Sequence, residues 1–355
     1  MTVTVLLEKW YCENKRDLPW RKTDSPYHIW LSEIILQQTR VSQGLEYYNR
    51  FVEKYPSVHE LANAHIDEVL KMWQGLGYYT RARNLHFTAR VIARDHQGSF
   101  PRTYKELLSL KGIGTYTAAA IASMAFKEPV ALVDGNVYRV LSRLFGIDAP
   151  IDAPAGKQVF EKLATRLLNS DNPGIHNQAV MEFGALVCLP KNPDCMRCVL
   201  SDLCIARKEG KTSVLPVKKG KSQLRERHFY YLFVQFNEST LLHKRTGNGI
   251  WNSLYEFPLI ESDQPLPYES LVSQPVWKAL AGSGKLKTKA KPKIYRHKLT
   301  HQTLHCTFYQ IRMDRPPDLQ NLPFSEVSLV RLPEYAVPRV IDKYLADLKQ
   351  EGISC

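Results

Sequence analysis

The sequence predicts two domains, an all-helical one followed by a β-rich one, and three observations support this. The 355 residues exceed what a single hydrophobic core usually holds. From Tyr27 to about Lys208, apolar residues recur at intervals of three and four between short Gly, Pro or Asp breaks, which is helical periodicity. From about His228 the pattern changes to β-rich runs, of which 228–236 and 304–311 are the clearest.

The domain limits follow from a change of composition between these two patterns. Residues 210–227 carry Lys, Gly, Ser and Pro with few large apolar side chains. Such a segment can bury little surface and is expected to form an extended linker. We therefore place the helical domain at 1–209, the linker at 210–227 and the second domain at 228–355.

Composition and charge restrict the class of protein and its partners. Hydrophobic residues make up 44% and charged residues 23%, which is ordinary for a globular protein with a full core. A formal net charge of +13 indicates an anionic partner, with nucleic acid favoured over a membrane surface. No apolar run reaches the roughly 18 to 20 residues that span a bilayer, and no secretory signal opens the chain. We therefore expect a cytoplasmic protein.

Four of the seven cysteines form one closely spaced motif. Cys188, Cys195, Cys198 and Cys204 follow the spacing C-x6-C-x2-C-x5-C, which offers four soft thiolates on one short loop. Ligands of this kind bind zinc or an iron-sulfur cluster. A single CxxC with unequal outer spacings favours a cluster, although the spacing leaves zinc open. Four unrelated buried cysteines are the remaining alternative.

A helix-hairpin-helix is indicated in the middle of the helical region. Thr103 to Glu106 forms a capping box that opens a helix, and residues 110–114 interrupt the helical pattern before it resumes. Gly112 and Gly114 would let the backbone approach a phosphate, toward which the next helix presents free N–H groups. Phosphate contacts of this kind position DNA without reading its sequence. A plain turn between two helices is the alternative.

Two carboxylates occupy positions that are suitable for acid and base chemistry. Asp134 directly precedes an amphipathic helix, where it would act as the N-cap and be held ionised to face a developing cation. Glu33 lies among apolar residues of another helix, where desolvation would raise its pKa toward that of a general acid. The alternative for Glu33 is an exposed acid on the helix surface.

The segment Gly75–Asn84 combines glycine turns, paired tyrosines and basic side chains. Aromatic rings beside arginines can stack on bases while the arginines neutralise phosphates. The segment could equally form a core edge with a solvated basic face, and its own residues do not decide between the two.

Six ordered blocks resemble the MutY adenine glycosylases, within the helix-hairpin-helix superfamily that also contains endonuclease III. The resemblance covers nearly the whole chain. It implies an α + α/β multidomain protein, with a helical glycosylase domain that includes an iron-sulfur loop and one [4Fe-4S] cluster, followed by a MutT/Nudix-like α/β recognition domain. The blocks are 32–39, 75–85, 110–114, 133–141, the four-cysteine spacing and 251–258.

The resemblance also implies roles for individual residues. Glu33 matches the general acid, and Asp134 matches the carboxylate that stabilises an oxocarbenium-like sugar cation, with Asn136 beside it. Tyr116 stands where the endonuclease III branch carries its nucleophilic lysine; because tyrosine forms no Schiff base, a monofunctional glycosylase is implied. The other matches are Trp20, Arg21 and Gln178 in the adenine pocket, and Gln38 and Tyr78, which insert into the duplex near the opposing base.

The second domain departs from its relatives in two respects. It lacks the GX5EX7REUXEEXGU pattern by which Nudix enzymes bind Mg²⁺, so we expect no pyrophosphatase activity. Leu299, Thr300 and His301 match the loop that recognises 8-oxoguanine, where many relatives carry Phe-Ser-His.

The function that the resemblance implies is hydrolysis of the N-glycosidic bond of adenine mispaired with 8-oxoguanine or guanine in double-stranded DNA, in base excision repair. The enzyme is expected to be a monomer of the bacterial cytoplasm that associates with the nucleoid during repair. One alternative is an endonuclease III-like glycosylase/lyase for oxidised pyrimidines, which Tyr116 and the second domain disfavour. Another is a lesion-binding module that does not cut, which the presence of both Glu33 and Asp134 disfavours.

Overall fold

The chain folds into two compact units, one helical and one built on a β-sheet. The helical unit contains the residues up to Asn63 together with Asn84–Gly220, and the second unit contains Ala64–Arg83 together with the chain after Gly220. Residues 221–224 of the predicted linker lie outside the described residues. The computed structural model describes residues 2–220, 225–247, 249–283, 286–288 and 291–351.

Helices account for the regular structure of the first 220 residues. Of these, α5 and the first residues of α6 belong to the second unit. Short 3-10 turns occur at Pro19–Arg21 and Ser201–Leu203. The helices are α1 (Val3–Asn14), α2 (Pro26–Leu36), α3 (Val41–Lys54), α4 (Val58–Asn63), α5 (Ile66–Met72), α6 (Thr80–Asp95), α7 (Tyr104–Leu107), α8 (Thr115–Ala125), α9 (Gly135–Phe145), α10 (Pro154–Leu167), α11 (Pro173–Leu186) and α12 (Ile205–Lys208).

Local sequence signals determine where several of these helices begin and end. The predicted capping box is present at α7, where Thr103 and Glu106 satisfy each other's backbone N–H groups. Asp134 caps α9, and Gly146 ends that helix in the left-handed conformation that glycine adopts readily. Helix α9 is amphipathic as predicted, and its apolar face is buried in the core of the helical unit. Helices α1, α8, α10 and α11 contribute the other helical residues of this core.

The second unit is built on a mixed β-sheet. Besides the strands and the α5 segment described above, it contains two short helices on one stretch of chain and a longer helix near the end of the chain. These elements are β1 (Arg225–Phe236), β2 (Ser239–Lys244), β3 (Tyr255–Glu256), β4 (Leu259–Ser262), α13 (Tyr268–Val272), α14 (Pro275–Ser283), β5 (Leu286–Thr288), β6 (Lys293–Lys298), β7 (Gln302–Met313), β8 (Ser325–Ser328) and α15 (Arg339–Gln350), with a 3-10 turn at Leu329–Glu334.

Strands β1 and β7 form the centre of the sheet and pair in parallel, from Arg225 opposite Gln302 to Gln235 opposite Arg312. The strand order is β3-β2-β1-β7-β5, while β4 pairs with β1, β6 with β7 and β8 with β2. Every pairing other than that of β1 with β7 is antiparallel. The hairpin between β6 and β7 places residues 299–301 at its turn.

Both faces of the sheet are covered, because successive side chains of a strand point to opposite sides. Tyr231 and Phe233 pack with α15 on one face, whereas Leu232 and Val234 pack with α13 and α14 on the other. This arrangement explains why β1 is apolar along its central residues instead of alternating. The predicted β-rich domain is therefore an α/β layer structure.

Residues Ala64–Arg83 are fixed to the sheet unit by polar contacts. The Asp67 carboxylate accepts hydrogen bonds from the Lys244 ammonium at 2.6 Å and from the Tyr255 hydroxyl at 3.0 Å. The Lys71 ammonium donates to the backbone carbonyl of Tyr335 at 3.1 Å. The segment that carries the paired tyrosines thus belongs structurally to the same unit as the hairpin of residues 299–301.

Candidate active site

A cavity of about 630 Å³ in the helical unit brings together most of the predicted chemical residues. Its volume is in the range of small-molecule and cofactor sites. The 3-10 turn at Pro19–Arg21 and helices α2, α8, α9 and α11 supply its walls. The predicted residues that line it are Trp20, Arg21, Glu33, Gln38, Tyr116, Asp134, Asn136 and Gln178.

Glu33 lies in the middle of α2 and is only 7% exposed. Ser25 caps this helix, and Pro26 occupies its first turn. Burial raises the pKa of Glu33 to about 7, mainly because the charged form is desolvated. A hydrogen bond from Tyr116 and the charge of Arg21 oppose that rise, while the negative charge of Asp134 adds to it. The carboxyl group can therefore be protonated near neutral pH, as a general acid requires.

Tyr116 lies in the first turn of α8, where its hydroxyl donates a hydrogen bond to Glu33. Burial raises the pKa of the Tyr116 phenol well above its usual value, and the two nearby carboxylates raise it further. The phenol is therefore neutral and acts as a donor toward the carboxylate form of Glu33. This contact lowers the pKa of Glu33.

Asp134 combines a capping role with a position on the cavity wall. One carboxylate oxygen accepts from the backbone N–H of Val137 and the other from the side-chain amide of Asn136, both at 2.7 Å. Burial raises the pKa of Asp134 above its usual value, and these hydrogen bonds oppose the rise. The sequence predicted capping and ionisation by the helix end, and the structure adds desolvation as an opposing effect.

Arg139 extends this arrangement from the cavity toward the cysteine loop. Its guanidinium donates to the side-chain oxygen of Asn136 at 2.8 Å and to the backbone carbonyls of Gly184 at 2.7 Å and Cys188 at 2.6 Å. Its positive charge lowers the pKa of Asp134. Asn136 is thereby oriented with its oxygen toward Arg139 and its amide toward Asp134.

The wall of the cavity that α11 forms contains a charge cluster centred on the buried Glu182. Arg21 donates to both carboxylate oxygens of Glu182, at 2.8 and 2.7 Å, and Arg16 does the same at 2.8 and 2.5 Å. These donors hold the pKa of Glu182 down at about 2 despite its burial. The Tyr11 hydroxyl donates to the side-chain oxygen of Gln178 at 2.9 Å, which leaves the amide of Gln178 as a donor.

Sequence reasoning missed Glu182, Arg16 and Tyr11. A signal for Glu182 existed: it follows Gln178 by four residues on α11 and therefore shares its helix face. An acid on an otherwise apolar helix usually needs a buried partner. Nothing in the sequence around Arg16 or Tyr11 indicates that they lie near α11.

The four predicted cysteines lie around one small cavity, which Arg143 also lines. All four are partly buried, and the Arg143 guanidinium lies 3.4 Å from the Cys188 sulfur. Four thiols that surround a shared space are a donor set that suits an iron-sulfur cluster.

The helix-hairpin-helix turn between α7 and α8 has the predicted glycine geometry. Gly112 has a φ of +83°, and a Cβ there would lie 2.6 Å from the Cβ of Asn84. Gly114 is the N-cap of α8, and a Cβ there would meet no atom of the chain. The backbone at Gly114 and the start of α8 is thus open to a partner, which suits an anion at a helix N-terminus.

Of the predicted residues outside the cavity, Tyr78 and the hairpin turn meet in the second unit. Tyr78 is 50% exposed, and its hydroxyl lies 2.5 Å from the hydroxyl of Thr300. Leu299 packs against the sheet core, whereas Thr300 and His301 are exposed. The aliphatic side chain of Leu299 therefore anchors the turn, while Thr300 and His301 lie at the surface of the unit.

Comparison with known proteins identifies three families along the chain. Residues 31–167 match the HhH-GPD superfamily of base excision DNA repair proteins, 188–204 match the iron-sulfur binding domain of endonuclease III, and 229–347 match the NUDIX domain. The adenine DNA glycosylase of Buchnera aphidicola subsp. Schizaphis graminum is 31% identical, over 98% of this chain and 100% of the relative. This chain belongs to the adenine DNA glycosylase family.

Other relatives agree with this membership. The adenine DNA glycosylase of Homo sapiens is 43% identical over 57% of this chain and 38% of its own length. Among solved structures, a thermostable thymine-DNA glycosylase is 31% identical with a TM-score of 0.54, covering 58% of this chain and 95% of that one. A trapped endonuclease III–DNA covalent intermediate has a TM-score of 0.51 at 24% identity, which supports the fold.

Membership of the family confirms the predictions of fold class, glycosylase activity and cofactor. The chain is a DNA glycosylase of base excision repair, and the cysteine loop holds a [4Fe-4S] cluster, so zinc is not the metal of this site. No helix among the described residues is both long enough and apolar enough to cross a membrane.

Proposed function

We propose that this enzyme hydrolyses the N-glycosidic bond of adenine mispaired with 8-oxoguanine or guanine in double-stranded DNA. The observation that carries the proposal is the pairing of Glu33, with a pKa of about 7, and Asp134 in one cavity. Two carboxyl groups with different environments can divide the acid and the charge-stabilising roles between them. We propose that it acts on this DNA as a monomer.

The first chemical step is proton transfer to the base. Adenine leaves poorly as an anion, and protonation of its N7 weakens the glycosidic bond. Glu33 is the proton donor in this proposal, because its raised pKa keeps a large protonated fraction at neutral pH. The flipped adenine must enter the cavity for this contact, at a cost of a few kcal/mol for unstacking.

Asp134 acts on the sugar rather than on the base. As the bond breaks, positive charge develops on the deoxyribose, and an ionised Asp134 facing it lowers the energy of that charge. Asn136 and the backbone of Val137 hold both carboxylate oxygens, so the group is oriented before the reaction begins. Hydrolysis is completed by water, either directly or after a transient bond to Asp134.

Adenine itself would be recognised by the wall that carries Trp20, Arg21 and Gln178. The indole of Trp20 lines the cavity, and Gln178 keeps its amide N–H groups as donors because its oxygen is occupied by Tyr11. Arg21 is held by Glu182, so its direction is fixed. A site with fixed polar groups rejects bases that cannot match them.

Position 116 decides the reaction outcome in this proposal. Tyr116 has no amine with which to form a Schiff base, so the product is an intact abasic site. The purified enzyme should therefore not be trapped on cleaved duplex by borohydride. Efficient trapping would contradict the monofunctional mechanism and favour the endonuclease III-like lyase.

The base opposite adenine would be read by Tyr78 and Thr300. 8-Oxoguanine carries an N7–H donor where guanine offers an acceptor, and the Thr300 hydroxyl can accept from it while it stays bonded to Tyr78. We propose that Tyr78, with Gln38, enters the duplex beside this base. The Cys188–Cys204 loop and the Gly112–Gly114 turn would hold the flanking backbone.

The test is a pair of single-turnover excision rates, for adenine opposite 8-oxoguanine and for adenine opposite guanine, at fixed salt. Wild type should cleave both and prefer the first. Thr300→Val should lower that preference roughly 5- to 150-fold, the effect of one unmatched polar group. Thr307→Val, the same change on β7 away from the turn, is the control and should keep the preference. If wild type excises adenine from neither duplex, the proposed function is refuted.

A further inference from the structure

The turn that carries Tyr78 is held in an unfavourable backbone conformation. Tyr78 has a φ of +47°, and the flanking Gly75 and Gly77 have φ values of +101° and +70°. A bulky residue such as tyrosine rarely adopts this left-handed region, so surrounding contacts must hold it there. Its ring is half exposed, so the core of the unit does not provide those contacts.

Arg81 supplies contacts of the required kind from the first turn of α6. One terminal nitrogen of its guanidinium donates to the backbone carbonyls of Leu76 at 3.2 Å and Gly77 at 3.3 Å. The guanidinium carbon lies 5.1 Å from the centre of the Trp73 ring and 5.7 Å from that of Tyr78. Two backbone atoms of the turn and two aromatic rings thus converge on one side chain.

Trp73 completes this arrangement from the other side. Its indole N–H donates to the Gly77 carbonyl at 3.0 Å, so that carbonyl accepts from two side chains. The Trp73 ring is fully buried, which gives Arg81 a fixed surface to stack on. Although burial lowers the pKa of Arg81 to about 10, the guanidinium remains charged at neutral pH.

We propose that Arg81 is the positioning residue for the Tyr78 ring, which it holds projecting from the turn before DNA arrives. This inference rests on the proposed insertion of Tyr78 into the duplex. A ring that is already oriented loses less freedom on insertion, which favours binding and base flipping. Arg81 acts through Tyr78 and the turn carbonyls, not through a phosphate of the DNA.

Lysine cannot replace arginine in this role. A planar guanidinium can donate in its plane to two carbonyls while its faces stack on rings, whereas an ammonium is a compact, strongly hydrated point charge. A phosphate contact, by contrast, requires mainly charge, which lysine keeps. Arg81→Lys therefore separates positioning from a simple electrostatic contact with DNA.

The experiment is a double-mutant cycle in the full-length holoenzyme with Arg81→Met, Tyr78→Ala and the double variant. The readouts are the single-turnover excision rate and the fluorescence of 2-aminopurine placed next to the base opposite adenine, which reports local unstacking. Arg81→Met and Arg81→Lys should each reduce excision about 10-fold, the effect of losing one to two hydrogen bonds. In the Tyr78→Ala background, Arg81→Met should have almost no further effect, because there is no ring left to position.

Arg83→Met is the matched control, since it removes the same charge two residues away. Arg83 bonds to the Asn252 carbonyl and the Thr80 hydroxyl rather than to the turn. The effect of Arg83→Met on excision should add to that of Tyr78→Ala. Thermal melting of every variant shows whether a loss of excision reflects unfolding. Full rescue by Arg81→Lys, or additive effects of Arg81→Met and Tyr78→Ala, would overturn the inference. If Tyr78→Ala alone changes neither readout, the insertion of Tyr78 is itself wrong and the inference fails with it.

Discussion

Removal of the Tyr116 hydroxyl should shift the pH dependence of excision toward alkaline pH. Tyr116→Phe keeps the ring, and therefore most of the burial around Glu33, but deletes the hydrogen bond that stabilises its carboxylate. A hydrogen bond to a charged group contributes about 1.5 to 3 kcal/mol, and one pKa unit corresponds to about 1.4 kcal/mol. The pKa of Glu33, about 7 in the wild type, should therefore rise by about 1 to 2 pH units.

The sign of the effect follows from the role of Glu33 as an acid. Excision requires its protonated form, so the rate is full below the pKa and falls as the pH rises through it. The variant should keep its plateau rate to a higher pH than wild type. On the acid side, ionisation of Asp134 limits both enzymes, and burial raises the pKa of Asp134 from its usual value.

The assay is kcat/KM for an adenine–guanine duplex from about pH 5.5 to about pH 9 at constant ionic strength, since this quantity reports groups of the free enzyme. Tyr11→Phe is the control, because it deletes a hydroxyl near the same cavity that bonds Gln178 instead of Glu33. In the Tyr11→Phe variant, the decrease of kcat/KM at alkaline pH should occur at the same pH as in wild type. If the alkaline decrease of kcat/KM stays at the same pH in Tyr116→Phe, or moves to lower pH, Glu33 is not the acid whose pKa Tyr116 lowers.

Three further predictions concern residues of the helical unit. Glu33→Gln should reduce excision at least about 100-fold with little loss of duplex affinity. Above pH 7 it should also raise the free energy of unfolding by up to roughly 3 kcal/mol, because the folded wild type must ionise a carboxyl whose pKa is about 7 rather than 4.5. Equal stability of wild type and variant in chemical denaturation at pH 8 would contradict this. Anaerobically purified wild type should contain about four irons per chain, and Cys198→Ser should lose this iron. Cys12 is exposed and lies outside the cysteine loop, so Cys12→Ser should keep the iron. Gly112→Ala should weaken duplex binding in a salt titration, since φ is +83° and the added carbon would meet Asn84 at 2.6 Å; unchanged affinity would argue against this turn as a DNA contact.

Several features of the fold could be predicted because they depend on local sequence. The capping box at Thr103–Glu106 and the cap at Asp134 need only residues within one helical turn, and both are present. The β-rich runs that became β1 and β7 were likewise evident from composition. The cysteine spacing indicated a thiolate site for the same reason, since all four ligands lie on one short loop.

Other features depended on contacts between distant segments. That Glu182 is the anchor for Arg16 and Arg21 requires α11 to lie against the residues that follow α1, about 160 positions earlier in the chain. The parallel pairing of β1 with β7, and thus the α/β layering, likewise joins strands about 75 residues apart. Residues Ala64–Arg83 contact the sheet unit although they lie within the helical part of the sequence.

The sequence by itself determined the chemistry available to this enzyme: two carboxyl groups, a tyrosine in place of a lysine, and four thiolates. The tertiary structure decided the state of those groups. The pKa of Glu33 depends on how much water is excluded by α2, α8 and the Arg21 turn, and on a hydrogen bond from Tyr116. Desolvation and charge interactions act through space and over short distances, so only the packing of remote segments fixes them.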